Sequence, residues 1–264
     1  MKKIIAMLLA VMMVLSLAAC GAKTEAPAAK NDAAFTTIES GKLIMSTNAA
    51  FPPYEMVADD GSFEGIDVEV AAAIAEKLGL ELVIDDMDFD AALLAVQQGK
   101  SDIVMAGVTV TEDRKMVMNF SDSYATGVQV VIVKEGSDVT MDNLGEKMIG
   151  CQRGTTGYIY ASDSPENGGY GEDHVTAYDN GASAVQALIN GQVDCVIIDS
   201  APAAEFVAAN PGLTTLDGTW VEEFYAIGMG KDNTALLEAV NAALADLTAD
   251  GTLQTIVDKY ITAE

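Results

Sequence analysis

The sequence predicts an α/β fold of two lobes, each a mostly parallel sheet flanked by helices. Short apolar runs alternate with helix-period segments from about residue 42 to the end, the order expected of parallel βαβ units. Several helix-period stretches close on a glycine, as in "AEKLG" and "VQQGK". About 230 residues follow the N-terminal leader and tether, enough for one large domain or two of ordinary size, and two lobes are the natural reading.

In order, "KLIMSTN" reads as a strand, "GIDVEVAAAIAEKLG" as an amphipathic helix ending at Gly79, and "ELVIDDM" as a strand. "DAALLAVQQGK" is a helix stopped by Gly99, and "SDIVMAGVTV" predicts a strand over residues 103–110. A second series follows Tyr124: "VQVVIVK", "DNLGEKMIGCQ", the helix "SAVQALINGQ" and the strand "VDCVIID". "EEFYAIGMG" is a strand, and the last apolar-periodic segment is one or two helices broken at Gly251. No repeat of solenoid length is visible. In open parallel sheets, ligands meet the carboxyl ends of strands.

The leader "MKKIIAMLLAVMMVLSLAAC" has a basic start, an apolar run too short to cross a bilayer comfortably, and small residues before Cys20. It predicts a secretory signal over residues 1–19. "LAAC" followed by Gly21 resembles the bacterial lipobox, which makes Cys20 a lipid attachment point on a flexible, small-residue tether over residues 20–34. The alternative is an ordinary signal cleaved near Ala19. An anchored chain would sit outside the cytoplasm, on a cell surface or in a periplasm.

Composition excludes several functions. The net charge is -26, so nucleic acid and anionic lipid are not bound by charge. The only histidine is His174, and no CxxC or HExxH exists, so neither a transition-metal nor a Cys/His catalytic site is expected, and no cofactor. Cys151 and Cys195 sit in apolar runs as reduced core residues by default, with a disulfide as the alternative.

The stretch "AGVTVTEDRK", residues 106–115, ends a strand and starts a helix. Thr111 is the expected N-cap, and Glu112 and Asp113 suit the positive helix end. Arg114 does not: a cation in the first turn opposes the dipole. The chain has two arginines, Arg114 and Arg153, and the planar guanidinium fork suits a carboxylate, from a neighbour or a ligand.

Seven segments, "STNAAFPPYE", "GIDVEVAAAIAEKLG", "MDFDAALLAVQQGKSDIVMAGVTVTEDRK", "NFSDSY", "QRGTTG", "VDCVIIDSAPA" and "ADGTLQTIVDKY", occur in the order of one family. The chain resembles the polar amino-acid binding proteins of ABC transporters, solute-binding protein family 3, with the type 2 periplasmic-binding-protein fold. The resemblance implies lobe one over residues 35–126 and 226–264, lobe two over 127–225, and hinges near 127–130 and 222–225. It implies a monomer that closes on a free amino acid and delivers it to a permease and ATPase.

Residue by residue, the resemblance implies that Arg114 grips the ligand α-carboxylate, with Thr109 and Thr156 donating backbone N–H groups. Asp199, the Gly107 carbonyl and the Thr109 hydroxyl would receive the α-ammonium. Phe51 and Phe89 would sandwich the side chain, beside Asn48 and Gln152. Asn48 stands where many members that bind cationic amino acids or glutamine carry aspartate, which weakens the case for lysine or arginine and leaves a polar amino acid, a cationic one or cystine open. Glu222 and Glu223 read as a solvated face that could otherwise supply negative charge, and Arg153 as cleft rim or solvent. An enzyme on this fold, such as a cyclohexadienyl dehydratase, is the competing reading, with Asp199 or Glu223 as its acid. A non-transport sensor or adhesin is another.

Overall fold

The computed structural model describes residues 35–261. The expected signal segment over residues 1–19, Cys20 and the expected tether over residues 20–34 lie outside the described residues.

The chain opens with β1 (Lys42–Thr47), then β2 (Ala50–Phe51), β3 (Glu55–Val57) and β4 (Phe63–Glu64), the last three forming a small antiparallel sheet. Helix α1 (Ile66–Leu78) follows and ends on left-handed Gly79, whose N–H satisfies a terminal carbonyl. Next come β5 (Glu81–Asp86), α2 (Phe89–Gln97), β6 (Ile103–Val104), α3 (Glu112–Val117) and the long β7 (Met118–Lys134). The second series is β8 (Ile149–Gln152), α4 (Thr156–Ser162), β9 (Val175–Tyr178), α5 (Gly181–Ile189), β10 (Cys195–Asp199), α6 (Ser200–Ala209) and β11 (Leu213–Thr215). The chain closes with β12 (Val221–Gly230), α7 (Thr234–Ala249) and α8 (Thr252–Tyr260), the last two separated at Gly251.

These strands form one nine-stranded sheet in the order β5-β1-β6-β12-β7-β10-β8-β9, with β11 joined to β7. β5, β1 and β6 pair in parallel, as do β10, β8 and β9. Between the two parallel sets, β7 and β12 run antiparallel to each other, and these two long strands tie the lobes together. Each lobe buries its own apolar set. Leu43, Met45, Ile74, Ile103 and Leu244 pack in one. Ile132, Leu188 and Val196 pack on one face of the other, and Ile149, Cys151, Cys195 and Ile197 on its opposite face. Cys151 and Cys195 are free thiols, and burial pushes both thiol pKa values up.

The expected strand over residues 103–110 is shorter than its pattern: only Ile103 and Val104 pair regularly. Gly107 adopts φ +56, and its N–H is taken by the Asp67 carboxylate at 2.9 Å, so no strand partner receives it. Thr109 rejoins the sheet through a single bridge to Tyr225. The run expected around "VQVVIVK" grows instead to seventeen residues, because β7 pairs with β12 at its start and with β10 and β11 at its end.

Gly65 fixes the entry to α1. Its φ is +126, and a Cβ there would lie 2.3 Å from the Tyr54 carbonyl oxygen. Gly65→Ala should therefore lower the unfolding free energy by about 1–3 kcal/mol. Urea denaturation checks this, and an unchanged midpoint contradicts it.

Candidate functional site

Arg114 lies in the first turn of α3 and is 8 % exposed. Thr111 caps that turn as its sequence suggests, its hydroxyl accepting from the Arg114 N–H at 3.2 Å. The guanidinium turns inward: Nη1 donates to the Thr109 carbonyl at 2.9 Å and Nη2 to the Gly154 carbonyl at 3.1 Å. Its carbon sits 5.5 Å from the centroid of the Phe89 ring. Among the described residues no carboxylate lies within ion-pair distance, and Glu112 is occupied by Lys115 at 2.9 Å. Burial pulls the Arg114 pKa down, with the field of Glu223 opposing it.

Across the cavity, β10 ends in Asp199, which is 1 % exposed. Its Oδ2 accepts from the Val128 N–H at 2.7 Å, and its Oδ1 caps α6 by accepting from the Ala201 N–H at 3.0 Å. The Tyr225 hydroxyl also donates to it. Asp199 is thus a helix cap and a cavity wall at once. Burial outweighs its hydrogen bonds and pushes its pKa up to about 6.

Every ligand-binding residue expected from the sequence lines one cavity: Asn48, Phe51, Phe89, Gly107, Thr109, Arg114, Gln152, Thr156 and Asp199. The cavity holds about 480 Å³ of empty space, open solvent at its mouth included. The Thr109 and Thr156 hydroxyls stand 3.5 Å apart. Asn48 donates to the Met87 carbonyl and accepts from Gln152 Nε2, both at 2.9 Å, which links β8 to the loop after β1.

Glu223 corrects the sequence reading. It is no solvated face: it is 3 % exposed, lines the cavity, and its Oε2 accepts from the Thr109 hydroxyl at 2.9 Å and Gln129 Nε2 at 3.0 Å. Its Oε1 is buried without a partner among the described residues. Glu222 is exposed as expected. Arg153 is exposed and does not line the cavity, and its guanidinium lies 3.9 Å from Asp179. Glu55, Gln129 and Tyr225 also line the cavity and were not singled out from the sequence. The alternation in "VEEFYAIG" held the signal for one neighbour, since Glu223 shares a strand face with Tyr225.

A two-lobed α/β scaffold whose two long strands carry such a charged, enclosed cavity is that of a solute-binding protein. The profile of bacterial extracellular solute-binding proteins, family 3, matches residues 43–263, and the chain belongs to this family. It is 33% identical to a probable histidine-binding protein of Neisseria gonorrhoeae, over 100% of this chain and 97% of that one. It is 31% identical to the arginine-binding extracellular protein ArtP of Bacillus subtilis, over 100% of both chains. Among solved structures, an amino acid ABC transporter substrate-binding protein, AbpA, from Streptococcus pneumoniae, bound to L-arginine, superposes with a TM-score of 0.75. That pair is 33% identical over 83% of this chain and 94% of the other.

The raised Asp199 pKa sets a testable pH dependence. If Asp199 receives a ligand ammonium, the ionised carboxylate is required, and binding should hold above about pH 6 and weaken below it. Affinity should fall about tenfold per unit once the pH is well under that value. Calorimetric titration of wild type against Asp199→Asn checks this: the variant should bind weakly with no such acid limb, and an unchanged limb contradicts the assignment.

Proposed function

We propose that this chain is the extracytoplasmic receptor of an ABC importer and captures an amino acid with a cationic side chain. One observation carries the reading: a buried arginine with no carboxylate partner among the described residues shares one cavity with two buried carboxylates, Asp199 and Glu223. An amino acid places a carboxylate and an ammonium on one carbon, and Arg114 and Asp199 complement the two ends. Glu223 leaves the wall one negative charge in excess, since burial pushes Glu55 towards its neutral form. A neutral zwitterion leaves that excess, whereas a cationic amino acid cancels it. This charge comes from a different strand than Asn48, which is why asparagine there does not exclude a cation. Histidine and arginine in the names of the relatives agree with this choice.

In this reading residues 35–126 and 226–264 form lobe one, residues 127–225 form lobe two, and bending near 127–130 and 222–225 encloses the ligand. The Asn48–Gln152 and Arg114–Gly154 hydrogen bonds then cross the cleft and hold it shut. Cys20 carries a lipid that keeps the receptor at the membrane, beside a permease and ATPase. Capture needs no bond-making chemistry.

A thermal-shift screen against all amino acids and cystine tests the reading. A true ligand at a hundred times its Kd stabilises the fold by about 2.7 kcal/mol, and a screen in which nothing shifts, or turnover of prephenate, contradicts it. Arg114→Ala should weaken binding by on the order of a hundredfold or more, the effect of leaving a buried charge unpaired. Glu223→Gln should reduce the preference for arginine over glutamine by about tenfold, and an unaltered ratio removes Glu223 from selectivity. The backbone N–H of the sole tryptophan, Trp220, donates to the backbone carbonyl of cavity residue Gln129 at 2.8 Å, so its fluorescence offers a second readout for both titrations.

A further inference from the structure

Glu55 in the cavity wall and Asp67 behind it are a pair of acids that the zwitterion clamp does not use. Glu55 on β3 and Asp67 in the first turn of α1 are both 0 % exposed. Asp67 is fully engaged: Oδ1 accepts from the Tyr124 hydroxyl at 2.6 Å and Oδ2 from the Gly107 N–H at 2.9 Å. Glu55 is the opposite case. It lines the cavity, and among the described residues neither of its oxygens meets an N–H or O–H donor. The Asp67 N–H donates to the carbonyl of Tyr54, the residue before Glu55, at 2.8 Å, which brings the two buried acids together, and the Asp67 carboxyl is the side chain acting most directly on Glu55.

Two carboxylates are both pure acceptors, and a buried contact between them is stable only when one carries a proton. The titratable groups around Glu55 make this stricter. They are Asp67 from α1, Asp86 at the end of β5, Tyr54 before β3 and Tyr124 from β7, with Asp199 of β10 acting on Tyr54. Each of them is an acid, so nothing in that set offsets a charge on Glu55. Asp67 has two donors of its own and is the better carboxylate, which leaves the proton on Glu55.

We propose that Glu55 is a neutral acid whose O–H donates to Asp67, and that this shared proton positions Gly107, whose carbonyl faces the ligand ammonium. The chain of contacts is short: Glu55 to Asp67, Asp67 to the Gly107 N–H, and Gly107 to the cavity. Burial acts in the same direction, raising Glu55 well above the usual carboxyl range and Asp67 to about 6. Loss of the proton would set two buried negative charges against each other and displace the Gly107 turn. Glu55 is therefore a positioning residue, acting through Asp67.

The positioning half rests on the amino-acid reading above; the protonation half does not. Infrared difference spectroscopy of the unliganded protein at neutral pH tests the latter. A protonated-carboxyl stretch should be present in wild type and lost in Glu55→Gln; its absence, or its survival in the variant, overturns the proposal. Calorimetry with arginine tests the former. Glu55→Gln keeps a neutral donor and should bind within about threefold of wild type, whereas Glu55→Ala should bind about tenfold more weakly. At alkaline pH the ligand ammonium titrates equally in both proteins, so the ratio of wild-type to Glu55→Gln Kd should rise there. A Glu55→Gln protein that loses binding at neutral pH, a folded Glu55→Ala that binds like wild type, or a flat ratio overturns the positioning role. If Glu55→Ala does not fold, the Glu55→Gln affinity and ratio decide it.

Discussion

The structure is organised around a guanidinium held out of water whose acceptors among the described residues are carbonyl oxygens. Arg114 donates to Thr109 and Gly154 and rests against Phe89, but these groups supply partial charges and no full negative charge. An isolated buried cation costs several kcal/mol, so the site is strained toward an anion. Gly154 lies after β8 and Arg114 in the first parallel set's own helix, so one side chain reads the position of both halves of the sheet.

The rest of the site follows from the need to hold charge without water. Asp199 is ionisable in the interior because the N–H groups of Val128 and Ala201 and the Tyr225 hydroxyl surround it. Gly127 makes that approach possible: a Cβ there would stand 2.7 Å from Asp199 Oδ2 and 2.5 Å from the Tyr225 hydroxyl oxygen. Glu223 reaches the same space from the paired strand, opposite Gly127 in register. The pairing of β7 with β12 therefore does two things, joining the lobes and bringing Gln129, Glu223 and Tyr225 to one face of the cavity.

Much of this was legible in the residues. Hydrophobic periodicity and glycine stops located most helices and strands because local packing and capping set them. Arg114 stood out because it broke a local rule, the sign preference of a helix N-terminus. Glu223 was misread because neighbouring acids in an acidic chain look like solvent-facing charge, and only the register of two long strands distant in sequence shows that one of the two is buried. Residues 105–110 kept a strand pattern but not a strand, since Asp67, forty residues away, captured the Gly107 N–H. Pairings of that kind are tertiary, and no local window contains them.

The central claim is that the anion missing beside Arg114 belongs to the ligand. A crystal structure of the protein grown with arginine tests it most directly. The account predicts the ligand carboxylate bonded to both guanidinium Nη atoms and the α-ammonium against Asp199, with no protein carboxylate joining Arg114. A ligand bound elsewhere, or Arg114 turned away to pair with Glu223 while the ligand carboxylate is held by other groups, would contradict it.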